Sequence, residues 1–270
     1  MFCFPDACNW RRKTGGAELS RDISTCNSYS IVLTSDKGER TFGYCRRIVP
    51  DSQENSTPLA YCLLSKIRAH GFYDKLMTVL TSRHGTTDGQ MQTFLTLVAR
   101  KQMPSPGQSI SLPSIGAVLR NASPDVSPTL QVINGHHASP SINSSSSPNN
   151  GNAMITRALD ERLEESDIAA LVETLDHGLL MKIYGAVLLE RKILLVSTSM
   201  KRLSSCVQGL SGLLYPFSWE HVLVPILPLS LKDVVTAPSP FLIGLLLPSN
   251  HAGGDFVRDL FASPELNSEG

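Results

Sequence analysis

Residues 175–244 read LDHGLLMKIYGAVLLERKILLVSTSMKRLSSCVQGLSGLLYPFSWEHVLVPILPLSLKDVVTAPSPFLIG, and their hydrophobic period switches repeatedly between the helical and the extended pattern. Leu179, Leu180, Ile183, Tyr184, Val187 and Leu188 recur at helical spacing and make one apolar stripe. Glu190-Arg191-Lys192 interrupts as a polar turn. Ile193-Leu194-Leu195-Val196 is then a continuous β-prone run, the form of a strand covered on both faces. Ser197, Thr198 and Ser199 each offer an oxygen to the free N–H groups of a new helix. That helix carries Leu203, Val207, Leu210, Leu213 and Leu214 and stops before Pro216. Residues 221–227 read as a second strand, residues 231–235 as a short helix, and residues 241–247 as a third strand. Alternating strands and helices with short links predict a mostly parallel sheet with covering helices.

Upstream, the pattern changes. Residues 29–34 and 40–45 are two β-prone runs joined by Ser35-Asp36-Lys37-Gly38-Glu39, where glycine supplies the positive φ of a hairpin turn. A third strand is expected over residues 59–66. Two helices follow, one carrying Leu76, Val79 and Leu80, the other Met91, Phe94, Leu95 and Val98, with Thr86, Thr87 or Asp88 as N-cap. Strands followed by helices predict a small α+β unit over residues 1–120. Residues 121–153 are dense in Ser, Asn, Pro and Gly and carry little to bury, so they read as a disordered insertion. Ser166 precedes a helix with Ile168, Leu171, Val172 and Leu175 on one face.

Composition narrows the function classes. The 270 residues are 41% hydrophobic and 18% charged, and acidic and basic residues balance at 24 each. Nothing in that balance points to a nucleic-acid binder. No apolar run reaches the roughly 18–20 residues needed to span a bilayer, and the start is not that of a signal peptide. The six cysteines are scattered without a C-x-x-C pair. They read as reduced small hydrophobes in a cytoplasmic protein, not as a zinc pattern.

The motifs carry a resemblance. LLERKILLVS, LSSC, LLYPFSWEHVLVPILP and APSPFLIG, in that order and spacing, resemble the central subdomain of DENN-domain proteins. FCFPDA at residues 2–7, FGYCRRIVP at 42–50 and MPSPGQSI at 103–110 are similar to the upstream, longin-like subdomain, with wording nearest the second DENN-domain-containing subfamily. The implied fold class is α/β: a longin-like α+β subdomain, then a mostly parallel α/β central subdomain over residues 154–250. Residues 251–270 lose the family wording. The resemblance further implies a chain shortened at both ends, without a first strand and a helical third subdomain. The implied activity is guanine-nucleotide exchange on a Rab small GTPase in membrane trafficking. The runner-up is a binding module or scaffold that holds a Rab without exchange. Either way the chain would bring no cofactor of its own and would reach endosomal or other vesicle membranes only through its partner.

Catalytic motifs are missing from the sequence. No Walker, H-E-x-x-H, G-x-S-x-G or dinucleotide-binding signature occurs. Gly209-Leu-Ser-Gly212 is superficially like a hydrolase elbow, but its Ser211 falls within a predicted helix. Ser-Pro pairs at Ser105, Ser123, Ser127, Ser139 and Ser147 fit proline-directed phosphorylation as well as chance in a Ser/Pro-rich linker. For a protein partner the candidates are Ser204, Tyr215, Trp219, His221, Pro238, Pro240 and Phe241, because aromatics in helix-to-strand loops make interface anchors. Trp219 and His221 either stand exposed as partner anchors or, the favoured reading, pack the end of the sheet. Arg46 and Arg47 could meet an acidic surface or cover a sheet edge.

Overall fold

The computed structural model describes residues 3–5, 28–35, 37–48, 59–113, 152–160 and 166–247. Nearly all of the insertion, the tail after residue 250, and the Ser-Pro pairs at Ser123, Ser127, Ser139 and Ser147 lie outside these residues.

The upstream unit is built on three antiparallel strands in the order β1 (Ser28–Thr34), β2 (Arg40–Ile48), β3 (Leu59–Ser65). Gly38 at φ 80° makes the β1–β2 turn, its N–H bonded to the Ser35 carbonyl at 2.9 Å. Helices α1 (His70–Thr81) and α2 (Asp88–Arg100) follow as expected. Phe72, Leu76 and Leu80 of α1 pack with Phe94 of α2. One hairpin was not legible in the sequence: β4 (Ser109–Leu112) pairs antiparallel with β5 (Ala153–Thr156) across the insertion. Leu112 and Ile155 join the α1–α2 cluster, so the chain returns to the upstream core before crossing over.

The downstream part begins with α3 (Ser166–Thr174) and α4 (His177–Leu188). The Asp176 carboxylate accepts the Gly178 N–H at 2.9 Å and caps α4, which separates the two helices. Then come β6 (Ile193–Ser197), α5 (Met200–Leu213), β7 (Val222–Pro228), a 3-10 helix over Leu229–Thr236, and β8 (Phe241–Leu246). Ser199 is the residue that caps α5, accepting the Arg202 N–H at 3.4 Å. All three strands are parallel, in the order β6-β8-β7. The expected parallel sheet is there, with one change of place. The strand covered on both faces is β8, buried at every residue, whereas β6 lies at the edge with only Ile193 fully buried. The α4 stripe is also less covered than its period implies: Val187 is buried, but Leu179 and Leu188 remain 48% and 49% exposed.

Close packing shapes the downstream sheet, and β1 joins it to the upstream part. Gly244 in β8 has no room for a side chain, since a Cβ there would lie 2.3 Å from the Pro225 carbonyl and 2.7 Å from Leu203. Pro225 cannot donate to the ladder, and the β7–β8 register shifts between Val224 and Leu227. β1 lies against β7 and α5. Val32 of β1 sits in one cluster with Leu171, Val207, Leu210 and Trp219, and Tyr29 and Ile31 sit in another with Leu203 and Ile226. The two parts therefore share their interior. Among the described residues no helix is long and apolar enough to cross a membrane.

Candidate functional site

Where the upstream sheet meets the end of α5, the surface folds into an open cleft of about 290 Å³. Arg40, Phe42, Arg68 and His70 form the upstream wall, and Gln208, Ser211, Gly212 and the loop through Tyr215, Phe217 and Trp219 form the other. That loop exists because α5 cannot continue: Pro216 has no N–H to give the helix. The Phe217 N–H bonds back to the Leu214 carbonyl at 2.8 Å, which turns the chain at the cleft mouth.

The walls are tied together by arginine. Arg40 donates to the His221 carbonyl at 2.9 Å, and Arg68 donates to the Gln208 carbonyl at 3.0 Å. Burial pushes Arg40 below the ordinary arginine value, with the Glu220 carboxylate opposing it. Beneath them His70 Nδ1 lies 3.6 Å from the carboxylate of Asp167, a residue only 2% exposed. Gln208 is also buried, and its Oε1 has no partner among the described residues, leaving an acceptor at the cleft floor.

Two aromatics are left in the open. Tyr215 is 63% and Phe217 71% exposed, beside the two arginines. A cationic wall facing an aromatic lip suits a protein segment that is partly apolar and partly acidic. Ser211 lines the wall from within α5, not at a strand-to-helix turn, and makes no hydrogen bond to a histidine among the described residues.

The residues singled out from the sequence scatter. Tyr215 is at the cleft mouth as expected. Trp219 is not exposed: it is 2% accessible, lines the cleft from inside, and donates its indole N–H to the Val222 carbonyl at 3.0 Å. A large apolar ring at the end of a sheet gains more from the core than from solvent. His221 stands edge-on to Trp219, with its Nε2 3.2 Å from a Glu190 carboxylate oxygen. Phe241 is buried on the far side of the sheet, with Leu227 and Ile243, while Pro238 stays exposed and Pro240 half-buried at its start. Ser204 is buried where α5 meets β1, its oxygen accepting the Ser30 N–H at 3.4 Å. Arg46 bonds Ser28, Thr78 and Asp74, at 2.7 Å to the last, and Arg47 is 1% exposed. Both arginines knit the upstream unit internally. Arg40, Phe42, Arg68, His70, Gln208 and Phe217 are among the cleft residues that sequence reasoning did not isolate. Only Phe217 carried a signal, as an aromatic residue in the helix-to-strand loop.

With the cleft in view, comparison with known proteins is direct. A uDENN domain matches residues 1–48 and a DENN (AEX-3) domain matches residues 133–259. The chain belongs to the DENN family. It is 31% identical over 251 residues to human DENN domain-containing protein 2B, covering 92% of this chain and 19% of that protein. Human DENN domain-containing protein 2D is 30% identical over 247 residues, covering 91% of this chain and 44% of that protein. Mouse DENN domain-containing protein 2A is 30% identical, with 92% and 21% covered. The DENN chain thus spans between about a fifth and under half of these relatives' lengths. The DENN family is known in general for guanine-nucleotide exchange on Rab GTPases. The cleft lies where upstream and central DENN elements meet.

Proposed function

We propose that this chain binds a Rab small GTPase through the Arg40–Phe217 cleft and promotes GDP release. The observation that carries the reading is the pairing of exposed Tyr215 and Phe217 with Arg40 and Arg68 across the cleft. Membership of the DENN family supports the choice of partner.

Exchange requires that the chain bind the GTPase more tightly when the nucleotide pocket is empty. Coupling is reciprocal, so chain and nucleotide each weaken the other's hold on the GTPase. Accelerating release a thousandfold needs about 4 kcal/mol of preference for the open state. Apolar contact with Phe217 and Tyr215 is of the right size to hold the switch segments away from the nucleotide. The arginines would steer an acidic surface toward the cleft. Magnesium and nucleotide belong to the GTPase, and the chain reaches vesicle membranes through it.

The test is release of a fluorescent GDP analogue from a panel of purified Rabs, with and without the folded chain. Acceleration on at least one Rab supports exchange. Stable binding with no acceleration would leave a holding module instead. The absence of both binding and acceleration across the panel overturns the proposal.

A further inference from the structure

Three thiols that lie far apart in the sequence converge on one face of the upstream sheet. Cys45 of β2 and Cys62 of β3 are directly opposed, with the Cys45 thiol donating to the Cys62 sulfur at 3.3 Å. Cys3 comes in over them, and the three sulfurs all lie within 4.8 Å of one another. Cys45 is buried, while Cys3 and Cys62 are half-buried, so the cluster opens to solvent on one side.

The third thiol is held there by built contacts. The Cys3 carbonyl accepts from Arg47 Nε at 3.2 Å, from Arg47 Nη2 at 3.1 Å, and from the Tyr29 hydroxyl. The Arg47 guanidinium in turn lies over the Phe4 ring at 4.9 Å and the Tyr29 ring at 5.4 Å. Tyr29 is paired with Cys45 in the sheet register, so clamp and thiols share one row of the fold.

We propose that Cys3, Cys45 and Cys62 form a three-sulfur site for a thiophilic d10 cation of the zinc(II) class. Thiolates bound tetrahedrally at about 2.3 Å from zinc stand about 3.8 Å apart. The narrow pair therefore opens by about 0.5 Å and the wider pairs close by at most about 1 Å, within the reach of side-chain rotation. The fourth position falls on the open side and is left to water. Binding displaces the thiol protons to solvent, and the buried Arg47 cation offsets part of the negative charge left by three thiolates around a dication. A simple cross-strand disulfide would account for two of the sulfurs and leave the clamped Cys3 without a purpose. The ion would staple the segment at Cys3 to strands β2 and β3.

The test uses the full chain, reduced, stripped of metal by chelation and then titrated with zinc(II) against a chromophoric chelator. Cadmium(II) provides a second probe through its thiolate charge-transfer band. One equivalent is expected, with that band present. Cys62→Ser and Cys3→Ser, each shown to be folded by circular dichroism, are expected to lose more affinity than the roughly 10- to 100-fold that follows loss of an outer-shell partner. Cys206→Ser and the pair Cys8→Ser with Cys26→Ser are expected to bind as before. No uptake by the reduced chain, uptake unchanged in Cys62→Ser or Cys3→Ser, or uptake lost only with Cys8 and Cys26 overturns the proposal.

Discussion

Phe217→Ala is the substitution that separates binding from folding most cleanly. A phenylalanine side chain offers roughly 200 Å² to a partner, and 71% of this one is open. Complete cover would remove about 140 Å² from water, contributing about 3.5 kcal/mol at about 25 cal/mol per Å². Cover at a cleft mouth is incomplete, and alanine retains one carbon, so about 2 kcal/mol is expected, or roughly a 30-fold weaker Kd. The backbone bond from Phe217 to Leu214 is kept, and the ring contributes little to the interior, so the melting temperature should move by no more than about 2 °C. The assay is titration of the variant against the Rab that responds in the release experiment, with thermal unfolding run in parallel. Wild-type affinity in a folded variant would refute the cleft as the docking site. A large drop in melting temperature would refute the description of Phe217 as an open anchor.

Other substitutions probe the scaffold. Gly244→Ala forces a methyl against the Pro225 carbonyl and Leu203, so urea unfolding should show a loss at or above the upper end of the about 1–3 kcal/mol usual for overpacking. Trp219→Ala empties a buried site and leaves the Val222 carbonyl without its donor, and a loss of about 3–5 kcal/mol is expected in the same measurement. Arg40→Ala removes a charged donor to the His221 carbonyl, and about 1–2 kcal/mol of stability should go with it, less than the full value for a charged bond because the group is half-exposed. Ser199→Ala deletes the α5 cap and should cost about 1 kcal/mol by chemical denaturation.

The parallel sheet and its helices could be read from the sequence because each element announces itself locally. The Ile193–Ser197 run is apolar and β-prone, Ser199 precedes an amphipathic period, and Pro216 closes it. What could not be read was depth. Strands β6 and β8 have similar apolar composition, and only the pairing order puts β8 in the middle. The β4–β5 hairpin was hidden because its four-residue strands flank a Ser-rich insertion and draw their apolar partners from α1 and α2. The cleft was partly hidden for a similar reason. Arg40 meets the loop after α5, and Arg68 meets α5 itself, each across more than a hundred residues of chain, and two arginines in isolation look like solvated surface. The helix-to-strand loop that gave Tyr215 away left Trp219 open between partner anchor and packing at the sheet end, since a tryptophan in a loop gives no sign of which way it points.

The shared interior has a mechanical consequence. Val32 of the first strand is packed into one cluster with Cys206, Val207 and Leu210 of α5, and Tyr29 into another with Leu203 of the same helix, so spreading the cleft would mean tearing a common core. Its walls behave as the fixed jaws of a clamp, and their gauge is set when the chain folds. Any accommodation on docking must then come from the guest.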